Sequence, residues 1–256
     1  GTLDAGSVVV ADDSLSATFS VTASQDSVAD LTVTVNGSVV DVHGNALVPQ
    51  TSQAETVDTV NPTATISDDQ NNFAYDGANT VSYTVSFSEP ISGMGGGDIT
   101  VNGGTLDAGS VVVAEGGMSA TFSVTATQDS MDSLTVTVHD TVLDLNGNIL
   151  IEDTSSPETV DTVNPEITGI TSSFADVERD DVVSDSDDVV SYTVTFSEPI
   201  NDMAEADITV SGGALDAGSV SVAGDSLSAT FSVTATQDSM DSLTVTVHDT
   251  IFAACN

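Results

Sequence analysis

The sequence predicts an all-β chain of tandem immunoglobulin-like β-sandwiches. Segments of strict apolar–polar alternation recur along it, clusters of Gly, Asn, Asp and Ser separate them, and the whole arrangement is written out in domain-sized copies. Gly1-Thr-Leu-Asp-Ala-Gly-Ser returns as Gly104-Thr-Leu-Asp-Ala-Gly-Ser and again as Gly213-Ala-Leu-Asp-Ala-Gly-Ser, at spacings of 103 and 109 residues. Phe19, Phe122 and Phe231 keep those offsets, as do Leu31, Leu134 and Leu243; residues 119–141 recur unchanged as 228–250. A unit of this length can bury its own core, unlike a solenoid turn.

The copies divide the chain into residues 1–62 (the C-terminal part of a unit), 63–165 (a complete unit) and 166–256 (a unit lacking its last strand). In the complete unit the first strand candidate is residues 63–67. Residues 80–89 follow, with Val81, Tyr83, Val85 and Phe87 on one face and Ser82, Thr84 and Ser86 on the other, the period of a half-buried strand. Shorter candidates are 98–101 and 110–114. Residues 118–124 then alternate Met118, Ala120, Phe122 and Val124 against Ser119, Thr121 and Ser123. Leu134, Val136 and Val138 alternate with Thr135 and Thr137, and 158–160 closes the unit. No window has helical periodicity; residues 126–132 make at best one turn. About seven short strands in about 100 residues describe an immunoglobulin-like sandwich, with an isolated barrel as the alternative. There is no Trp, and Cys255 is the only cysteine, so the core rests on Val, Leu, Ile and a few aromatics, with no intrachain disulfide. Absence of lysine also rules out Lys–Asn isopeptide crosslinks.

Charge excludes whole classes of partner. One Lys or Arg faces 40 Asp plus Glu, a formal net charge of −39. Nothing here neutralises phosphates, so neither nucleic acid nor an anionic membrane surface is a partner. No apolar run is long enough for a spanning helix, and direct membrane insertion is not expected. The chain opens in mid-unit and reads as a window from a longer polypeptide, so a missing leader says nothing about location. Two readings of the acidity coexist: solubility in a salty medium, and carboxylate clusters neutralised by calcium.

Four stretches carry a family resemblance: Val81-Ser-Tyr-Thr-Val-Ser-Phe-Ser-Glu-Pro, Gly97-Asp-Ile-Thr-Val-Asn-Gly-Gly-Thr-Leu, Asp144-Leu-Asn-Gly-Asn, and the junction Val57-Asp-Thr-Val-Asn-Pro. Together they resemble the bacterial Ig-like tandem repeats of giant, RTX-type surface adhesins, across all three copies. The resemblance implies an extracellular, cell-surface stalk, often rigidified by calcium, in proteins secreted by Gram-negative bacteria. Residues 251–256 depart from the pattern seen at 142–160.

Strand order in a sandwich of this kind places the acidic residues. The junction, the Ser88-Glu89-Pro90 turn and the loop 140–148 all fall at one end of the complete unit. Asp58 is therefore expected to face Glu89 and Asp144, a calcium-type oxygen set. Asp161 and Glu198 are the equivalents in the next unit. The Asp144-Leu-Asn-Gly-Asn motif is not an EF-hand, since its Gly comes early and no Glu closes it. A second acidic cluster lies between the first two strands of the third unit. There Asp176, Glu178, Asp180, Asp181, Asp185, Asp187 and Asp188 surround Arg179, as a solvated loop or a further cation site.

Catalysis finds no foothold. Gly224-Asp-Ser-Leu imitates a hydrolase nucleophile block, yet it opens a strand where that block needs a strand-to-helix turn. His43, His139 and His248 are scattered, with no paired base or thiol. The expected function is a structural extender whose partners are neighbouring repeats of the same chain. A self-assembling fibre of identical chains joined by strand complementation is the alternative. A carbohydrate- or ice-binding module is the third reading, weakened by 4% aromatics and no Trp.

Overall fold

The computed structural model describes residues 1–70, 73–75, 79–173, 189–237 and 242–248. The chain divides into two compact units, Gly1–Ala74 with Ala78–Val160, and Tyr75–Gly77 with Asp161–Asn256.

In the first unit the complete sandwich has the immunoglobulin strand arrangement. One sheet runs Gly104–Leu106, Ser119–Ala126, Thr80–Phe87, Ala64–Asp68, all neighbours antiparallel. The other runs Ile99–Asn102, Thr135–Val138, Asp153–Thr154. Along Thr80–Phe87 buried and exposed residues alternate without a break, as the sequence pattern requires. Val81, Tyr83, Val85 and Phe87 join Ala120, Phe122, Val124 and Ala126 from the neighbouring strand, and Ile99, Leu134, Val136, Val138 and Leu150 cover them. Each of the Val, Leu, Ile and Phe side chains among them contributes about 1.5–3 kcal/mol by leaving water. Tyr83 lies opposite Phe122 in register, their rings stacked at 5.5 Å.

Several elements differ from the sequence expectation, each for a local reason. Met118 is exposed although its carbonyl accepts the Phe87 N–H at 2.9 Å: it stands at the open end of the strand Ser119–Ala126, outside the cover of the core. Asp98 belongs to a 3-10 turn, Gly96–Asp98, whose start is closed by the Gly95 N–H donating to Asp98 Oδ2 at 2.8 Å. Of 110–114 only Val112–Val113 pairs as a strand. The strands Gly104–Leu106 and Asp153–Thr154 are too short for a periodicity to reveal. Phe73–Tyr75 forms a strand paired with Thr159–Asp161 inside what reads from the sequence as a connection. Gly103, at φ +77°, makes the turn into Gly104–Leu106; a Cβ there would stand 2.4 Å from the Ser133 carbonyl oxygen.

Residues 1–62 repeat the second half of this sandwich with far less burial. Its strands are two residues each, and Pro62 is its only buried residue. Phe19 is 39% exposed where its counterpart Phe122 is 2% exposed, and Leu47 44% where Leu150 is 1%.

The second unit repeats the first sheet as Gly213–Leu215, Ser228–Ala235, Val189–Phe196, Ile167–Ser172, with a register shift between Ile167 and Gly169. Tyr192 and Phe231 stack at 5.5 Å, as Tyr83 and Phe122 do. Among the described residues its other sheet is Ile208–Ser211 with Thr244–Val247. Leu243, Val245 and Val247 are half-buried there, whereas Leu134, Val136 and Val138 are wholly buried.

Candidate metal centre

Local structure sets the site's first carboxylate. Asp144 accepts the backbone N–H groups of Asn146 and Asn148, both at 2.8 Å, on Oδ1, and the Asn148 amide at 2.8 Å on Oδ2. The loop closes with the Asp144 N–H donating to the Asn148 carbonyl at 3.0 Å, and Gly147 supplies φ +92°. The first copy builds the same loop at Asp41, which accepts from His43 and Asn45. This turn is therefore a property of a short sequence, independent of the sandwich around it.

Tertiary pairing brings two more carboxylates to it. The chain leaving Asp58 is tied to the Ser88 turn: the Thr63 N–H donates to Ser88 Oγ at 2.9 Å and the Ser88 N–H to the Thr63 carbonyl at 2.9 Å. That turn carries Glu89, and Ile91 just beyond it bridges Asp144. Asn146 Nδ2 donates to Asp58 Oδ2 at 2.7 Å, and Asn148 Nδ2 to the Asp58 carbonyl at 3.3 Å. One oxygen each from Asp58, Glu89 and Asp144 then lie within 4.8 Å of one another, with Asp144 buried and the other two half-buried.

The electrostatics follow from that crowding. Burial, then the charges of Asp58 and Asp144, push the Glu89 carboxyl above its ordinary range. Burial acts the same way on Asp144, but the hydrogen bonds from Asn148, Asn146 and Gly147 outweigh it and hold its carboxyl low. No Lys or Arg exists among the described residues to balance the cluster. Three carboxylates with amide and main-chain oxygens beside them suit a hard divalent cation; no thiol or imidazole nitrogen is present to favour zinc.

Asp161 and Glu198 also approach each other, in the second unit. Burial and then the Asp161 charge raise the Glu198 carboxyl, and Asp161 Oδ1 and Glu198 Oε1 are buried without a hydrogen-bond partner. The altered terminus 251–256 lies outside the described residues, as does the acidic cluster from Asp176 to Asp188 with Arg179. Histidines serve local tethers: His139 Nε2 meets Thr100 Oγ1 at 2.6 Å and Nδ1 meets Glu152 at 2.8 Å, and His248 meets Thr209 the same way at 2.6 Å.

Sequence reasoning missed the second layer, Asn146 and Asn148, which orient two of the three carboxylates. Their spacing after Asp144, at alternate positions around a Gly, was the available signal. It also missed that Glu158, two residues before inward-facing Val160, must itself point inward.

Residues 58–167 match the family model for the bacterial Ig-like domain. A solved structure of domains 4–9 of the surface layer protein SbsC is 17% identical, with a TM-score of 0.21; the alignment covers 96% of this chain and 45% of that one. The chain thus spans less than half of that structure. A search of curated proteins returns no match. Among the described residues no helix is long and apolar enough to cross a membrane. The sheet order and the family match agree: residues 58–167 resemble a bacterial Ig-like domain and fold as an immunoglobulin-like sandwich.

Proposed function

We propose that the chain is a structural extender of a bacterial surface or extracellular protein, in which tandem Ig-like units set length and calcium stiffens the junctions. The observation that carries this reading is the verbatim repetition of 119–141 as 228–250. A spacer needs number, whereas a binding or catalytic surface needs individuality. The Asp58–Glu89–Asp144 cluster supports the calcium part, since it joins the junction to two loops of the unit that follows. Calorimetric titration of the chain with calcium tests it. Asp58→Ala with Glu89→Ala is expected to remove one bound ion while both sandwiches stay folded. An unchanged ion count would overturn the junction site.

A second reading, the strand-complemented fibre, is favoured by the exposed apolar residues of 1–62. A neighbouring chain would supply strands equivalent to Ala64–Asp68 and Thr80–Phe87. Native mass measurement separates the two: monomers support the extender, and concentration-dependent oligomers support the fibre.

A further inference from the structure

The interior of the complete sandwich holds a second acidic group away from the junction. Glu158 forms a two-way backbone bridge to Leu134, both N–H···O bonds at 2.9 Å, and this register carries its side chain in with the core. It is 0% exposed, and neither carboxylate oxygen has a hydrogen-bond partner. Tyr83, also 0% exposed, has a hydroxyl with no well-aligned partner and only the Ser155 hydroxyl in reach. Asp68 lies directly across the ladder from Tyr83 and is half-buried, one of its oxygens accepting the Gln70 N–H at 3.1 Å. Ser155, whose Oγ accepts the Val136 N–H at 3.0 Å, is the neighbouring hydroxyl to Tyr83.

A wholly buried carboxylate with no donor pays its desolvation without compensation, and no Lys or Arg among the described residues is available to offset it. We propose that Glu158, Asp68 and the Tyr83 hydroxyl form a calcium site inside the complete sandwich, distinct from the junction. Glu158 supplies two oxygens, Asp68 at least one, and Tyr83 a ligand oxygen or a hydrogen bond to a ligand carboxylate. The mixed, irregular oxygen set suits calcium better than magnesium, which demands a near-ideal octahedron. Burial, then the Asp68 charge and a proton-mediated contact with the Asp68 carboxyl, then the Asp69 charge, push the Glu158 carboxyl up to about 7, which sets Asp68 and Glu158 side by side. The other copies offer an internal contrast. Glu55 makes the same backbone bridge, to Leu31, but is exposed. Ser172 stands opposite Tyr192 where Asp68 stands opposite Tyr83. Among the described residues the three groups therefore meet only in the complete unit.

This inference is independent of the junction site, and its test is run with that site removed. In the Asp58→Asn, Glu89→Gln background, calcium titration is expected to lose one further bound ion on adding Glu158→Gln. Asp68→Asn, at a half-buried position, should weaken the same ion at least tenfold without threatening the fold. Terbium in place of calcium should show tyrosine-sensitised emission that Tyr83→Phe dims, although Tyr75 and Tyr192 remain. An ion count and affinity unchanged by both Glu158→Gln and Asp68→Asn would overturn the site. So would a stability gain from Glu158→Gln that is equal in calcium and in chelator, because a proton shared between Glu158 and Asp68 would then be the counter-charge.

Discussion

At the scale of single residues, backbone geometry and charge make separable demands. Gly103 and Gly109 have similar positive φ values, +77° and +74°, but a Cβ meets the Ser133 carbonyl oxygen at 2.4 Å in the first case and open space in the second. Both alanine substitutions cost about 1 kcal/mol for the left-handed backbone. Gly103→Ala should cost at least about 2 kcal/mol more, read from denaturant midpoints, because the clash is with main chain that cannot rotate away. Glu158 makes a pH prediction. Its carboxyl is raised in the folded state, so the folded unit binds that proton more tightly than the unfolded chain does. The stability from this group is complete below the ordinary glutamate range and is lost as pH rises through about 7. In chelator the thermal midpoint should therefore fall across that window, and Glu158→Gln should flatten the part of the slope that general charge repulsion does not explain.

At the scale of elements, position along the strand decides which members of an alternating run are buried. Met118 and Phe122 share a face by periodicity, yet Met118 is 46% exposed and Phe122 only 2%. Phe122→Ala should cost about 3–5 kcal/mol, while Met118→Ser should fall within about 0.5 kcal/mol of the parent. Chemical denaturation of both variants checks the contrast; a comparable loss from each would place Met118 in the core. The Asp144 loop makes the complementary point. Its hydrogen bonds recur at Asp41, where most of the surroundings differ, so the turn is an autonomous element. Its carboxylate becomes part of a cluster only where Asp58 and the Glu89 turn are delivered to it.

At the scale of the whole molecule, charge dominates. With a formal charge of −39 and one basic side chain, the folded chain holds like charges closer together than the unfolded one does. Calcium bound only to the folded state should raise the thermal midpoint by linkage. Sodium chloride at matched ionic strength should raise it less, since it screens without occupying a site. Equal midpoints in calcium and in chelator at that ionic strength would leave screening as the sole effect. Trypsin offers a simpler check, because Arg179 is the only Lys or Arg. At most one cut is expected, giving two fragments by mass, whatever the state of the fold.

The all-β class, the copy number and the strands with strict alternation were determined by the sequence alone, because a period of two in Val81–Phe87 has one economical burial and domain-length repetition has one economical meaning. The Asp58–Glu89–Asp144 grouping was also legible, since it follows from which loops share an end of a sandwich. Tertiary structure alone decided the rest. Two- and three-residue strands such as Asp153–Thr154 carry too few side chains for a period, so their pairing depends on the sheet already formed beside them. The same Glu is exposed at position 55 and buried at 158 with the same backbone bridge, because only the second has a complete opposing sheet over it. Burial is a property of what lies across the core, and a local stretch of sequence does not contain that information.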